Sequence, residues 1–232
     1  MSNDAAPTTR TRTTSWGFVV FAALALVHVG AITLGAEPLV YPTKLLLMPA
    51  LAGAVLLAHG GRPWRAVDTW LIAAIALSWL GDGAALFFPF VSLPVSPPEL
   101  PLMLLCFGLA HLAYILLFAR LPGARRVPAW AVVYGAWWVA MLLVLHVLHV
   151  HLGALLIPVA VYGLVLAGTA AMSTRGGTVT AIGGALFLAS DTLLALRLFL
   201  PGVSETMAGP WIMATYAAGQ GLLAWGVVRR AR

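Results

Sequence analysis

The chain has 232 residues, of which 62% are hydrophobic and only 9% charged, with a mean hydropathy of +0.98. Soluble domains carry roughly 25% charged residues, so this composition excludes an ordinary water-soluble globule and indicates an integral membrane protein. The net charge of +6 does not indicate nucleic acid, because the basic residues sit between apolar runs and form no continuous patch; they read as topology signals and anchors for anionic lipid headgroups.

Residues 1–15 are polar and Thr-rich, with Arg10 and Arg12. The apolar run that follows is too long for a signal-peptide core and lacks a cleavage site, so it is read as a first span. About twenty apolar residues cross the hydrocarbon core as a helix. That ruler predicts an all-α membrane domain over 16–228 with eight transmembrane helices, at 16–34, 39–58, 67–88, 100–119, 129–148, 152–172, 179–199 and 208–228, and a basic tail at 229–232. The connections hold the expected breakers: Gly35 to Pro38, Gly60 to Pro63, Pro94 to Pro98, Pro122 to Pro128, Gly176-Gly177 and Pro201-Gly202. The weakest boundary is at His149, Val150 and His151. Cys106, the single cysteine, falls within a span and can form no intramolecular disulfide.

Charge orients the spans. Arg10, Arg12, Arg62, Arg65, Arg120, Arg125, Arg126, Arg175, Arg229, Arg230 and Arg232 fall on one side of an eight-span arrangement; the other side's loops hold Glu37, Glu99 and Glu205 and no Lys or Arg. A positive-inside pattern of this kind predicts both termini in the cytoplasm, and seven spans would scramble it. The expected location is a multi-pass protein of a bacterial plasma membrane. The chain also carries a sparse internal repeat. A shift of 109 positions lays Pro49 on Pro158, Asp82 on Asp191, Pro101 on Pro210, Phe107 on Tyr216 and His111 on Gln220. Four spans separate the copies, so halves at about 16–120 and 129–228 are expected as parallel four-helix repeats.

Asp82 and Asp191 each lie deep in an apolar run. An ionisable group there costs on the order of 2.5–3.5 kcal/mol on insertion scales, so each is a functional-site hypothesis. Asp82 falls roughly 15 residues along the third span, ~22 Å into a ~30 Å core. Asp191 is expected at nearly the same height, so the two acids lie level in the outer half. Ser78 lies one turn from Asp82, and Ser190 adjoins Asp191. Lys44 enters the second span from the outer side on a stripe with Tyr41, and Arg197 is near the outer end of the seventh. His111 with Tyr114, and Tyr216 with Gln220, complete an outward-biased polar cluster.

Each element also has a structural reading. Asp82 and Asp191 pair with Lys44 and Arg197 and are simply neutralised; the cations are snorkelling anchors; His111 and Tyr114 are a buried hydrogen-bonded pair; His28 is a neutral packing residue. His146, His149 and His151 resemble metal-ligand spacing, but no acid or thiol is near them, so no metal is expected. Trp130, Trp137 and Trp138 fit interface and packing roles.

Five segments together carry a resemblance: Tyr41-Pro42-Thr43-Lys44 through Pro49, Ser78-x-x-Gly81-Asp82, Gly108-Leu109-Ala110-His111-x-x-Tyr114, Gly184 through Phe187 with Ser190-Asp191-x-x-Leu194-Ala195, and Tyr216-x-x-Gly219-Gln220. In that order they resemble the YhhN-type lysoplasmalogenase family over spans two to eight. The resemblance implies eight spans, no cofactor, and hydrolysis of the vinyl ether bond of a lysophospholipid substrate to a fatty aldehyde and a glycerophospho-alcohol. It casts Asp82 and Asp191 as the catalytic pair. The chain departs from the family pattern at Leu45, where proline is common, and at Gly219, where alanine is usual.

The chemistry fits two acids. Protonating the vinyl ether β-carbon gives an oxocarbenium ion, so one carboxylic acid must hold a proton and one carboxylate must stabilise the cation and activate water, as in glycosidases. Lys44 and Arg197 are candidates for the substrate phosphate, and His111, Tyr114 and Gln220 for positioning water or the glycerol hydroxyl. The competing class is a proton-coupled small-molecule transporter, which also uses intramembrane acids and parallel repeats. Which aspartate is the acid, the headgroup preference and the oligomeric state are left open by the sequence.

Overall fold

The computed structural model describes residues 9–88, 99–147, 152–200 and 202–230, and these form helices joined by short turns. The long helices are α1 (Thr9–Thr33), α2 (Glu37–His59), α3 (Ala66–Asp82), α5 (Leu100–Arg120), α6 (Val132–Val147), α7 (Leu156–Ser173), α8 (Thr178–Phe199) and α9 (Glu205–Arg230); α4 (Ala84–Phe87) is a single turn following α3. Short 3-10 turns lead into α6 and α7 and leave α7. The expected breakers Pro94–Pro98 and residues 149–151 lie outside the described residues.

Every predicted span therefore has its helix, but among the described residues six segments are long and apolar enough to cross a membrane: Trp16–Thr33, Glu37–His59, Leu100–Arg120, Ala129–Val147, Gly153–Gly176 and Thr178–Phe199. The two that fall short have separate physical reasons. The predicted third span, 67–88, is interrupted: α3 ends after 17 residues at Asp82, and the chain turns at Gly83 before α4. A Cβ on Gly83 would lie 2.3 Å from the Phe87 ring, so that ring folds back over Gly83 and would have to shift for any larger residue. Helix α9 is long enough, but Gln220 and four glycines dilute its apolar character; it packs on α8, α1 and α2 and buries Tyr216, Gln220 and Leu223 rather than offering them to lipid. The terminal tails are also shorter than expected, since α1 starts at Thr9 and α9 runs on to Arg230.

Proline inside α2 is accommodated by a side chain from α3. Pro49 has no N–H for the carbonyl of Leu45, one turn back. Trp79 fills the vacancy, its indole Nε1–H donating to the Leu45 carbonyl at 3.0 Å. The same contact fixes α3 against α2 at the turn that sets the height of Asp82.

Packing follows the same order in both halves. Helix α1 packs on α2, α2 on α3 and α3 on α5; likewise α6 packs on α7, α7 on α8 and α8 on α9. The halves meet through α5 with α7 and through α9 with α1 and α2. The core between them is built on Leu47, Leu71, Tyr114, Phe118, Phe187 and Leu223, all fully buried. One end of the bundle is tied by arginines: Arg230 donates to the carbonyls of Gly176 (3.2 Å) and Gly123, Arg175 to that of Arg125 (3.0 Å), and Arg62 pairs with Asp68. Helix α8 starts beside Arg175 and runs away from that end, which carries Asp191 and Arg197 toward the opposite one.

Candidate active site

At the end remote from the arginine ties, α1, α2, α3, α5, α8 and α9 surround a cavity of about 260 Å³. Asp82 from the last position of α3 and Asp191 from α8 both line it, with Tyr41, Lys44, Ser190, Arg197 and Tyr216. One chamber thus gathers both acids, both cations and three further predicted residues, Tyr41, Ser190 and Tyr216, from helices far apart in the chain.

The two carboxylates are dressed differently. Asp82 sits at a helix C-terminus, where backbone carbonyls disfavour a negative charge. It is compensated by Lys44, whose Nζ is 3.8 Å from Oδ1, and by Tyr216, whose hydroxyl donates to Oδ2 at 2.7 Å. Asp191 has no cation from Lys or Arg within ion-pair distance among the described residues. Its Oδ2 accepts from the hydroxyl of Tyr162 on α7 at 2.5 Å, and His111 Nε2 is 3.7 Å away. Tyr162 and His111 also touch each other, oxygen to Nε2, at 3.4 Å.

Four residues expected to contact substrate stand behind the cavity wall instead. Ser78, His111, Tyr114 and Gln220 are fully buried and do not line the cavity. Tyr114 donates to Gln220 Oε1 at 2.5 Å, and Gln220 Nε2 donates to Ser78 Oγ at 2.9 Å, which links α5, α9 and α3. Ser78, Tyr114 and Gln220 thus satisfy one another away from water, while Nδ1 of His111 finds no partner among the described residues. His111 is packed between the rings of Phe187 (4.7 Å) and Tyr162 (5.5 Å). Ser190 lines the cavity but donates to the carbonyl of Ile212 at 3.0 Å. Arg197 does not pair with Asp191; it bonds Glu205 at the start of α9, at 2.7 Å. The neutralising scheme of Lys44 with one acid and Arg197 with the other therefore holds only for Asp82.

Sequence reading passed over four contributors. Tyr162 left no trace in the repeat, because the 109-residue offset lays it on Gly53, yet a tyrosine hydroxyl in an apolar run needs a partner and was a readable signal. His28 is a packing residue only in part: Nδ1 meets Thr43 Oγ1 at 2.8 Å, while Nε2 has no partner among the described residues and the ring lines the cavity. Glu99 and Glu205, read as loop charges, also line it.

A family model, that of the YhhN family, matches residues 39–227. The chain belongs to the YhhN family. No curated protein and no solved structure matches it. All the site residues of this YhhN chain named above lie inside the matched segment except His28, on α1. Gly219 lies at a close approach of α8 and α9: a Cβ there would lie 2.9 Å from Phe187 N and 3.0 Å from the Gly183 carbonyl. These are backbone atoms, so the two helices lie nearer here than a methyl group permits.

Proposed function

We propose that this YhhN-family protein is a membrane hydrolase that cleaves the vinyl ether bond of lysoplasmalogen-type lipids, releasing a fatty aldehyde and a glycerophospho-alcohol. One observation carries the reading: two carboxyl groups from different halves of an apolar bundle line a single cavity, and a lysine stands 3.8 Å from one of them. Positive-inside charge supports a cavity opening toward the non-cytoplasmic side, with both termini in the cytoplasm.

The steps balance within two carboxyl groups. One carboxylic acid delivers its proton to the β-carbon of the vinyl ether, and the π electrons leave an oxocarbenium ion at the carbon attached to oxygen. The second carboxylate faces that cation and takes a proton from water as the water oxygen bonds to the carbon. The resulting hemiacetal collapses: its hydroxyl proton returns to the first carboxylate, the second carboxylic acid protonates the departing glyceryl oxygen, and aldehyde and alcohol separate. The layout parallels the paired carboxyls that serve oxocarbenium chemistry in glycosidases. Lys44 supplies a cation for the phosphate and also holds Asp82, while Tyr216 and Tyr162 orient the two acids.

The test is aldehyde release from a lysoplasmalogen by purified protein in lipid nanodiscs. Asp82→Asn and Asp191→Asn are each expected to lower kcat/KM on the order of 100-fold or more, the usual scale of positioned acid–base catalysis. Activity within a few-fold of wild type in either variant refutes the mechanism. Solute uptake into vesicles driven by a proton gradient, without aldehyde release, would instead assign the chain to the carrier class.

A further inference from the structure

The cavity has a neighbour. A narrow apolar groove runs between α5, α6, α7 and α8, walled by side chains such as Trp137, Trp138, Met141 and Val159. Cavity and groove share six lining residues, Leu100, Met103, Phe107, Asp191, Leu194 and Leu198. Asp191 is the one charged residue of the groove among those described. Asp82 and Lys44 line the cavity and not the groove. The two chambers thus meet at Asp191, one apolar and the other holding both cations.

This division matches the two ends of an alkenyl lysophospholipid, and we propose that it fixes both the substrate's direction and the roles of the acids: the hydrocarbon chain enters the groove, the phosphate faces Lys44, and Asp191 is the proton donor. The assignment rests on the hydrolase reading, and follows from the order of atoms in the substrate. Going from headgroup to tail, the glyceryl oxygen comes first, then the carbon that water attacks, then the carbon that must be protonated. With the tail in the groove, the carbon needing the proton lies on the groove side, where Asp191 stands. The carbon that becomes cationic, and the water that attacks it, lie on the cavity side with Asp82. Asp82 is then the base, kept as a carboxylate by the ammonium of Lys44 and the hydroxyl of Tyr216. Asp191 faces the hydrocarbon with Tyr162 and His111 as its polar neighbours and no Lys or Arg within ion-pair distance among the described residues, and it is the acid placed to give its proton to carbon. Tyr162 is a positioning residue, holding Oδ2 of Asp191 so that Oδ1 is the oxygen left to meet the substrate.

Two measurements decide it. A non-cleavable 1-O-alkyl lysophospholipid with a diazirine in mid-chain is photolysed on the wild-type protein in nanodiscs. Labelling of 137–145 and 159–166 is expected; labelling of the Phe18 to Trp225 face between α1 and α9 instead would overturn the chain placement. For the roles, added formate should restore turnover severalfold to Asp82→Ala, since a carboxylate anion can replace a lost base. It should not restore Asp191→Ala, since formic acid is scarce at neutral pH; the reverse pattern overturns the assignment. Retained photolabelling of both variants shows that they are folded. A wild-type protein that releases no aldehyde removes the hydrolase reading and the donor role with it, while the photolabel still decides where the tail lies.

Discussion

Lys44 is the chain's single lysine, and it stands beside a carboxylate at the mouth of a cavity. Its neighbour Asp82 has one further partner, Tyr216, so the two can be separated by substitution. Tyr216→Phe removes a hydroxyl donated to a carboxylate, a bond worth about 1.5–3 kcal/mol. The expected result is a kcat about ten- to a hundred-fold lower with KM little changed, read from aldehyde-release kinetics. Lys44→Met should raise KM, because the phosphate loses its cation, and lower kcat as well, because Asp82 loses the ammonium beside it; an unchanged KM would remove Lys44 from the headgroup site. Both acids, the lysine and Tyr216 were legible from the sequence, because a charge or phenol in an apolar run is expensive and so informative. What was not legible was which polar groups satisfy one another. Tyr114, Gln220 and Ser78 carry the same residue types as a binding site, and only the packing of α5, α9 and α3 turns them into an internal brace.

At the level of helices, the sequence located all eight but misplaced how one of them ends. The apolar run continues through Leu86, Phe87 and Phe88, so hydropathy extends the third span to 88, whereas the backbone turns at Gly83 where Phe87 folds over it. Local composition contains no record of that fold-back. The joint between α2 and α3 was equally hidden, since a proline signals a missing N–H but not which side chain serves the freed carbonyl. Trp79→Phe leaves the half-buried Leu45 carbonyl without its donor, and should cost about 1 kcal/mol in unfolding free energy by thermal or denaturant melts in detergent. Gly219→Ala tests the close approach of α8 and α9. Its methyl would press on backbone, which cannot swing aside, so the melting temperature should fall although alanine favours helix. A rise in melting temperature would show that the helices separate freely.

For the molecule as a whole, the residues related by the 109-residue offset converge on one place. Asp82 and Asp191 line one cavity, and Phe107 and Tyr216 meet edge to face at 6.0 Å. Helix packing in the two halves also has the same order. Two copies of a four-helix unit facing each other would bring equivalent positions together in this way; of the pair Phe107 and Tyr216 only Tyr216 carries a hydroxyl, which goes to Asp82, and Asp191 takes its phenol from Tyr162 on α7 instead. The unit is also expected to have one orientation in the membrane. In a Cys106→Ala background, an impermeant maleimide added to intact cells should label Ser204→Cys and spare Arg126→Cys, both positions being exposed. The opposite labelling would invert the topology and place the cavity on the cytoplasmic side.

The bond between Arg197 and Glu205 has a consequence for binding. It joins the end of α8 to the start of α9 at the cavity rim, with the Glu205 side chain 70% exposed, and ion pairs this open contribute about 0–1 kcal/mol. Glu205 is then a weakly held placeholder in the seat a phosphate would take, and a lipid arriving there swaps one anion for another. Such an exchange releases few counterions, so headgroup affinity should respond only mildly to ionic strength. Vacating the seat with Glu205→Gln should tighten lipid binding severalfold and make it steeply salt-dependent; the carboxylate would then act as a built-in competitor that keeps product from lingering.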